Sequence, residues 1–136
     1  MNKKQFYLLS FTWGFILTAL GAIVAIVLIC CNKKPERWGG CLVFRGKVNG
    51  GFNLGPIMVV DEDATDYTKN HEFGHAIQNC RYGPATLFIV HIPSFIRYWY
   101  RELRYTRRGL TPPTSYYDIW FEKEASELGA QEIKNW

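Results

Sequence analysis

His71-Glu72-Phe73-Gly74-His75 is the stretch from which the rest of the chain is read. It has the pattern His-Glu-x-x-His. On a helix, residues i and i+4 share a face, so both imidazoles can reach one metal ion. Glu72, next to the first histidine, can point at a water held by that ion and take its proton. Only three letters are fixed, so the plainer reading is two histidines on an ordinary helix. The surroundings have to decide.

The flanks fit a helix from about Asp66 to Arg81, stopped by Gly83-Pro84. Phe73, Ile77 and Cys80 form a stripe for a core, with His71, His75 and Gln78 on the neighbouring stripe. Gly74 costs ~1 kcal/mol against alanine inside a helix, and its missing side chain allows another element to come close. The acidic segment Asp61–Asp66 lacks EF-hand spacing and suits the N-terminal end of a helix dipole.

Upstream, Cys41–Phe44 and Phe52–Val60 are apolar runs separated by Gly50-Gly51. They read as two short strands able to pair as a hairpin, with Pro56 suited to an edge or a strand start. An edge strand beside a catalytic helix can take an extended peptide by strand addition, although an edge strand alone implies no ligand. Pro35–Gly40 reads as a linker.

Further upstream, Phe6–Cys31 carries no charge. About 20 apolar residues cross a bilayer as a helix, so this run is expected to be a retained transmembrane anchor. It is too long for a signal-peptide core and lacks a cleavage site. Lysines and arginines are more numerous after the run than before it, which would place the rest of the chain in the cytoplasm.

Downstream, Ala85–Ile96 is apolar but short for a span. Arg97, Arg101 and Arg104 then alternate with Trp and Tyr, as at a lipid interface. His91, among aliphatic residues, reads as a packed histidine. Ser115 and Asp118 suggest a capping box before a last helix, Tyr116–Leu128, burying Trp120, Phe121, Ala125 and Leu128.

The bulk composition excludes several classes. With 48% apolar and 16% aromatic residues, the chain is not disordered. A net charge of +4 makes no case for nucleic acid. Four cysteines without a C-x-x-C exclude a zinc ribbon and a disulfide scaffold. A Cys41–Cys80 bridge is left open to the redox compartment.

A catalytic zinc takes three protein ligands and keeps a fourth position for water. The metzincin continuation would need glycine at 78 and histidine at 81, where this chain has Gln78 and Arg81. Site-2-type intramembrane proteases take an aspartate from a later span, and none is present. Glu122-Lys123-Glu124-Ala125-Ser126 instead resembles the Glu-x-x-Ala segment of the gluzincins, among them the membrane-anchored M48-type peptidases. The chain is similar to a group of small bacterial membrane proteins with HE[YF]GHxxQ, a Gly-Pro, an Ile-Pro-Ser and a terminal Glu-x-x-Ala-x-x-x-Gly. Here these are HEFGHAIQ, Gly83-Pro84, Ile92-Pro93-Ser94 and Glu122–Gly129, covering roughly residues 52–129.

The resemblance implies Glu122 as third ligand, with Glu124 as its rival. Successive helix positions turn by ~100°, so the two cannot face the ion equally. Ser126 stands where larger gluzincins have an aspartate that orients a ligand histidine, which makes turnover a softer expectation than metal binding. The expected architecture is α+β: an N-terminal transmembrane helix (1–32), a linker and first strand (33–51), and a small gluzincin-like domain (52–136) with two site helices and a short sheet. The expected function is a single-pass membrane zinc metallopeptidase acting on a peptide or protein. Glu72 would be general base, His71, His75 and Glu122 the Zn2+ ligands, with Gln78, Ser126, Tyr116, Tyr117 and Arg97 lining or supporting the site. Tyr82, Tyr116, Tyr117 and Arg97 are candidate oxyanion donors. The expected partners are a lipid bilayer and the substrate. The alternative is a non-catalytic zinc-binding or membrane-interaction protein.

Overall fold

A computed structural model describes all residues, Met1–Trp136. Two α-helices precede a four-stranded sheet and three follow it. They run α1 (Lys3–Phe11), α2 (Phe15–Cys30), β1 (Glu36–Trp38), β2 (Cys41–Gly46), β3 (Gly51–Leu54), β4 (Ile57–Asp61), α3 (Asp66–Tyr82), α4 (Ile92–Arg104) and α5 (Trp120–Glu132). A π-helical turn, Leu87–His91, leads into α4, and a 3-10 turn, Tyr116–Asp118, precedes α5.

The sheet order is β1-β2-β4-β3. β2 and β4 are parallel, with Val43 opposite Met58; β1 and β3 pair antiparallel on the outside. The two apolar runs are therefore three strands. A turn at Gly55 (φ +63°) and Pro56 divides the second run into β3 and β4, and these two form the hairpin. Pro56 has no N–H to donate to a ladder, and its carbonyl accepts from the Leu42 N–H at 2.9 Å.

Side chains of the central strands alternate between two cores, as the two-residue period requires. Cys41, Val43, Met58 and Val60 face α3, meeting Phe73, Ala76, Ile77 and Cys80. Phe44, Ile57 and Val59 face α2, meeting Ala25. Both faces are covered, which explains the nearly unbroken apolar sequence of β2 and β4. Cys41 and Cys80 are free thiols in the α3-side core.

The expected transmembrane helix is not formed. The apolar run breaks at Thr12–Gly14, and its two halves meet at 91°. No single helix is long and apolar enough to cross a membrane. The longer half, α2, has 16 residues, about 24 Å at 1.5 Å per residue, against a hydrocarbon core of about 30 Å. The single-pass assignment, and the cytoplasmic placement that depended on it, are withdrawn.

The break has physical causes. Gly14 lies where a Cβ would overlap the Asn79 side chain. The corner is held by side chains: Thr18 Oγ1 donates to the Ser10 carbonyl at 2.6 Å, and Asn79 Nδ2 donates to the Gly14 carbonyl at 3.2 Å. Phe6 of α1 is fully buried beside Phe73 and Trp136. One side of α2 remains exposed, Ile23 and Ile26 among it.

α5 lies against α3 at very short range. A Cβ on Gly74 would overlap the Ala125 carbonyl, and one on Gly129 would overlap the Asn70 carbonyl. The close approach expected at Gly74 is thus a contact with the Glu-x-x-Ala helix. α5 starts later than expected, at Trp120. The Ser115/Asp118 capping box closes the 3-10 turn instead, because Ile119 is extended (ψ 144°). Phe121, Ala125 and Leu128 are buried, whereas Trp120 is exposed.

Candidate metal centre

The backbone contact between α3 and α5 brings three ligand-type atoms together. His71 Nε2 lies 3.0 Å from Glu122 Oε2, and His75 Nε2 lies 3.2 Å from the same oxygen. The three residues are buried, and one atom from each falls within 4.8 Å of the others. His71, His75 and Glu122 form a group that could hold a metal ion.

The proton positions follow from the neighbours. Gln78 Nε2 faces the Phe121 carbonyl at 2.8 Å and Glu124 Oε2 at 2.7 Å, both acceptors, so its Oε1 accepts from His75 Nδ1–H at 2.8 Å. Ser126 Oγ donates to the Glu122 main-chain carbonyl at 3.2 Å, so it accepts from His71 Nδ1–H at 2.9 Å. With both Nδ1 protons so placed, neutral imidazoles turn their Nε2 lone pairs toward a carboxylate oxygen. Three electron-rich atoms at this separation repel unless a cation lies among them. The donor set, two imidazoles and one carboxylate, suits a divalent transition ion.

Burial alone would raise the Glu122 carboxyl. Without a metal ion, a proton on Nε2 takes the cation's place: hydrogen bonds from His71 and His75 so protonated, then the charge of a protonated His75 and a hydrogen bond from Ser94, outweigh burial and hold the group well below the usual carboxylate range. Glu124 has a different environment. Tyr82 OH donates to it at 2.8 Å and Arg81 stands 3.6 Å away, so it supports Gln78 rather than facing the histidines. This separates the two glutamates that the sequence left as rivals.

Glu72 sits beside this group, 5% exposed, with Oε2 buried and unpartnered. Burial is the largest influence on it and the Glu122 charge adds to it; His75 opposes them, and the net effect pushes the carboxyl up to about 7. Glu72 lines a cleft of about 620 Å³ with His71, His75 and Glu122. β3 forms one wall, and Phe95 and Trp99 of α4 contribute to the other. Gly51 of β3 comes so close that a Cβ there would stand 3.0 Å from Glu72 Oε1.

The other expected site residues are distributed unevenly. Tyr117 packs edge-on against His71, ring centroids 4.9 Å apart. Burial, then the Tyr67, Glu72 and Glu122 charges, raise its phenol. Tyr116 OH is within 2.6 Å of Ser94 Oγ, and burial followed by the Glu122 charge raises its phenol also. Arg97 is spent on main-chain carbonyls of Ser115 (3.0 Å) and Tyr116 (3.3 Å) and does not reach the ligand group. Tyr82 is held by Glu124, on the far side of Gln78.

Two residues gain roles that spacing did not indicate. Ser94, noted only as part of Ile-Pro-Ser, donates to Glu122 Oε1 at 2.5 Å. His91 is packed as expected, but its Nε2 also donates to the Asn53 carbonyl of β3 at 2.8 Å, tying the π-helical turn to the strand. Burial, then His75, pull its imidazole down to about 4, so it is neutral. The Pro93-Ser94 pair in the first turn of α4 was the only available signal for Ser94; nothing in the sequence pointed His91 at a strand. Comparisons with protein-family models, with curated proteins and with solved structures return no match, so the site is read from its own geometry.

Proposed function

We propose that the chain is a zinc-dependent hydrolase of peptide bonds. One observation carries the reading: a buried His2Glu group stands next to a buried carboxyl, Glu72, whose Oε2 has no partner and which faces an open cleft. His71 Nε2, His75 Nε2 and Glu122 Oε2 would hold Zn2+. When bound, such an ion lowers the pKa of water and polarises a carbonyl. Glu72 Oε2 takes a proton from the attacking water and delivers it to the departing amine. A carboxyl held beside the ligand group and out of bulk water is placed for both transfers. Tyr117 OH is the donor proposed for the developing oxyanion, because Tyr116, Tyr82 and Arg97 are already engaged.

An extended peptide fits the cleft by pairing with β3. The Asp61 N–H donates to the Gly50 carbonyl at 2.8 Å, so the alternation of an antiparallel ladder turns the Gly51 and Asn53 main-chain groups outward. The Asn53 carbonyl is taken by His91, which leaves Gly51 as the pairing residue next to Glu72. A second reading, a metal site without turnover, is favoured by one feature: the neutral Ser126, where a carboxylate would make His71 more basic.

Glu72→Gln separates the two. In a hydrolase it should retain one equivalent of zinc and lose about 100- to 10,000-fold in cleavage of a mixed fluorogenic peptide library. Zinc content far below one equivalent in the wild type, or library cleavage equal in wild type and Glu72→Gln, would sink the hydrolase reading.

A further inference from the structure

Glu122 has two oxygens, and only Oε2 faces the histidines. Oε1 accepts from Ser94 Oγ at 2.5 Å, and Ser94 Oγ is itself 2.6 Å from Tyr116 OH. A serine hydroxyl has one proton. The Glu122 carboxylate can only accept, so that proton goes to Oε1, and Tyr116 OH must donate to Ser94. The chain of donors therefore runs Tyr116, Ser94, Glu122 in one direction. Its outer end is anchored, because Arg97 and Arg101 of α4 hold the carbonyls of Tyr116, Ser115 and Thr114. Pro93 lies in the first turn of α4, the helix that carries Ser94. The hydroxyl is thus placed by a fixed turn rather than by a mobile loop.

We propose that Ser94 is a positioning residue that makes Glu122 a one-oxygen metal ligand. With Oε1 accepting from Ser94, the carboxylate would bind an ion through Oε2 alone, which would leave a ligand position for water. Without Ser94, Oε1 is free to turn to the ion and fill that position. This rests on the metal reading above but not on catalysis.

Co2+ is the probe, since its visible d–d absorption weakens as four-coordinate sites become five-coordinate. Ser94→Ala should bind Co2+ and Zn2+ about 10- to 100-fold more weakly, and its Co2+ band should fall severalfold in intensity. Ser94→Thr, which keeps the hydroxyl, should restore both. Tyr116→Phe keeps the ring and removes only the donor to Ser94. It should shift affinity and spectrum in the same direction by less, and it tests the chain if Ser94→Ala does not fold. A Ser94→Ala protein with unchanged affinity and band would overturn the proposal. So would weaker binding with an unchanged band, because Ser94 would then support packing without setting the ligand mode. Absence of Co2+ uptake by the wild type would remove the metal centre itself, a result separate from either of these.

Discussion

Glu72 is a carboxyl whose ionisation the fold opposes, chiefly by burial. In the unfolded chain it ionises near 4.5; in the fold its carboxyl is pushed up to about 7. A folded pKa above the unfolded one means that stability is present at low pH and lost as pH rises through the folded value. In metal-free protein, ionising Glu72 should therefore cost about 3 kcal/mol between pH 4.5 and pH 8. Glutamine cannot ionise, so Glu72→Gln should gain on the wild type over that interval. Urea unfolding of both proteins with chelator at pH 5 and pH 8 measures the gap, and a gap independent of pH would contradict the burial of this carboxyl. Glu122 runs the other way. Its carboxyl is depressed, so its contribution is present above the usual carboxylate range and lost on acidification, outside the interval compared. That His71 and His75 face one point was legible because i, i+4 spacing on a helix is a local property. Glu122 could be preferred over Glu124 only by resemblance, since the choice depends on how α5 is rotated against a helix distant in sequence.

At the scale of elements, the decisive contact is α3 on α5. Replacing Gly74 by alanine would gain ~1 kcal/mol of helix propensity. The new Cβ would overlap the Ala125 carbonyl, and a backbone atom cannot rotate away as a side chain can. Overpacking costs about 1–3 kcal/mol, occasionally more, so the clash wins. Gly74→Ala should be destabilised by up to about 2 kcal/mol net and should also bind Zn2+ more weakly, because moving α5 moves Glu122. Chemical denaturation and a zinc-competition dye check the two effects; a variant more stable than wild type with unchanged zinc affinity would show that the helices do not touch there. The strands were half legible. The apolar runs and the Gly-Gly turn mark where strands lie, but the second run reads as one strand rather than two, and no local signal says that β2 pairs parallel with β4 while β3 lies outside.

At the scale of the molecule, the misread segment was the apolar N-terminal run. Hydropathy is summed along one dimension, and Thr12–Gly14 adds no charge to lower the sum. The corner is set by Asn79 and Thr18, and Asn79 lies on a helix far along the chain. The bend lets α1 and α2 pack against α3 and the sheet respectively, so the run contributes to two cores. A metal ion held between α3 and α5 would stabilise the same assembly by mass action. At free zinc 100-fold above the dissociation constant the gain is about 2.7 kcal/mol, on the order of a 10 °C rise in Tm for a chain of this size. Thermal scans with zinc and with chelator should show that rise in wild type and not in His71→Ala. Equal shifts in both would place the bound ion elsewhere. The paired glycines of the α3–α5 contact bear on how the chain can drift. Gly74 and Gly129 touch no ion, yet each holds a backbone at the distance the ligands need. In a library of random variants selected for the intact centre, these two positions would be as intolerant of change as His71, His75 and Glu122. A mutational map would then mark five positions for one site, and two of them would be spacers with no chemistry of their own.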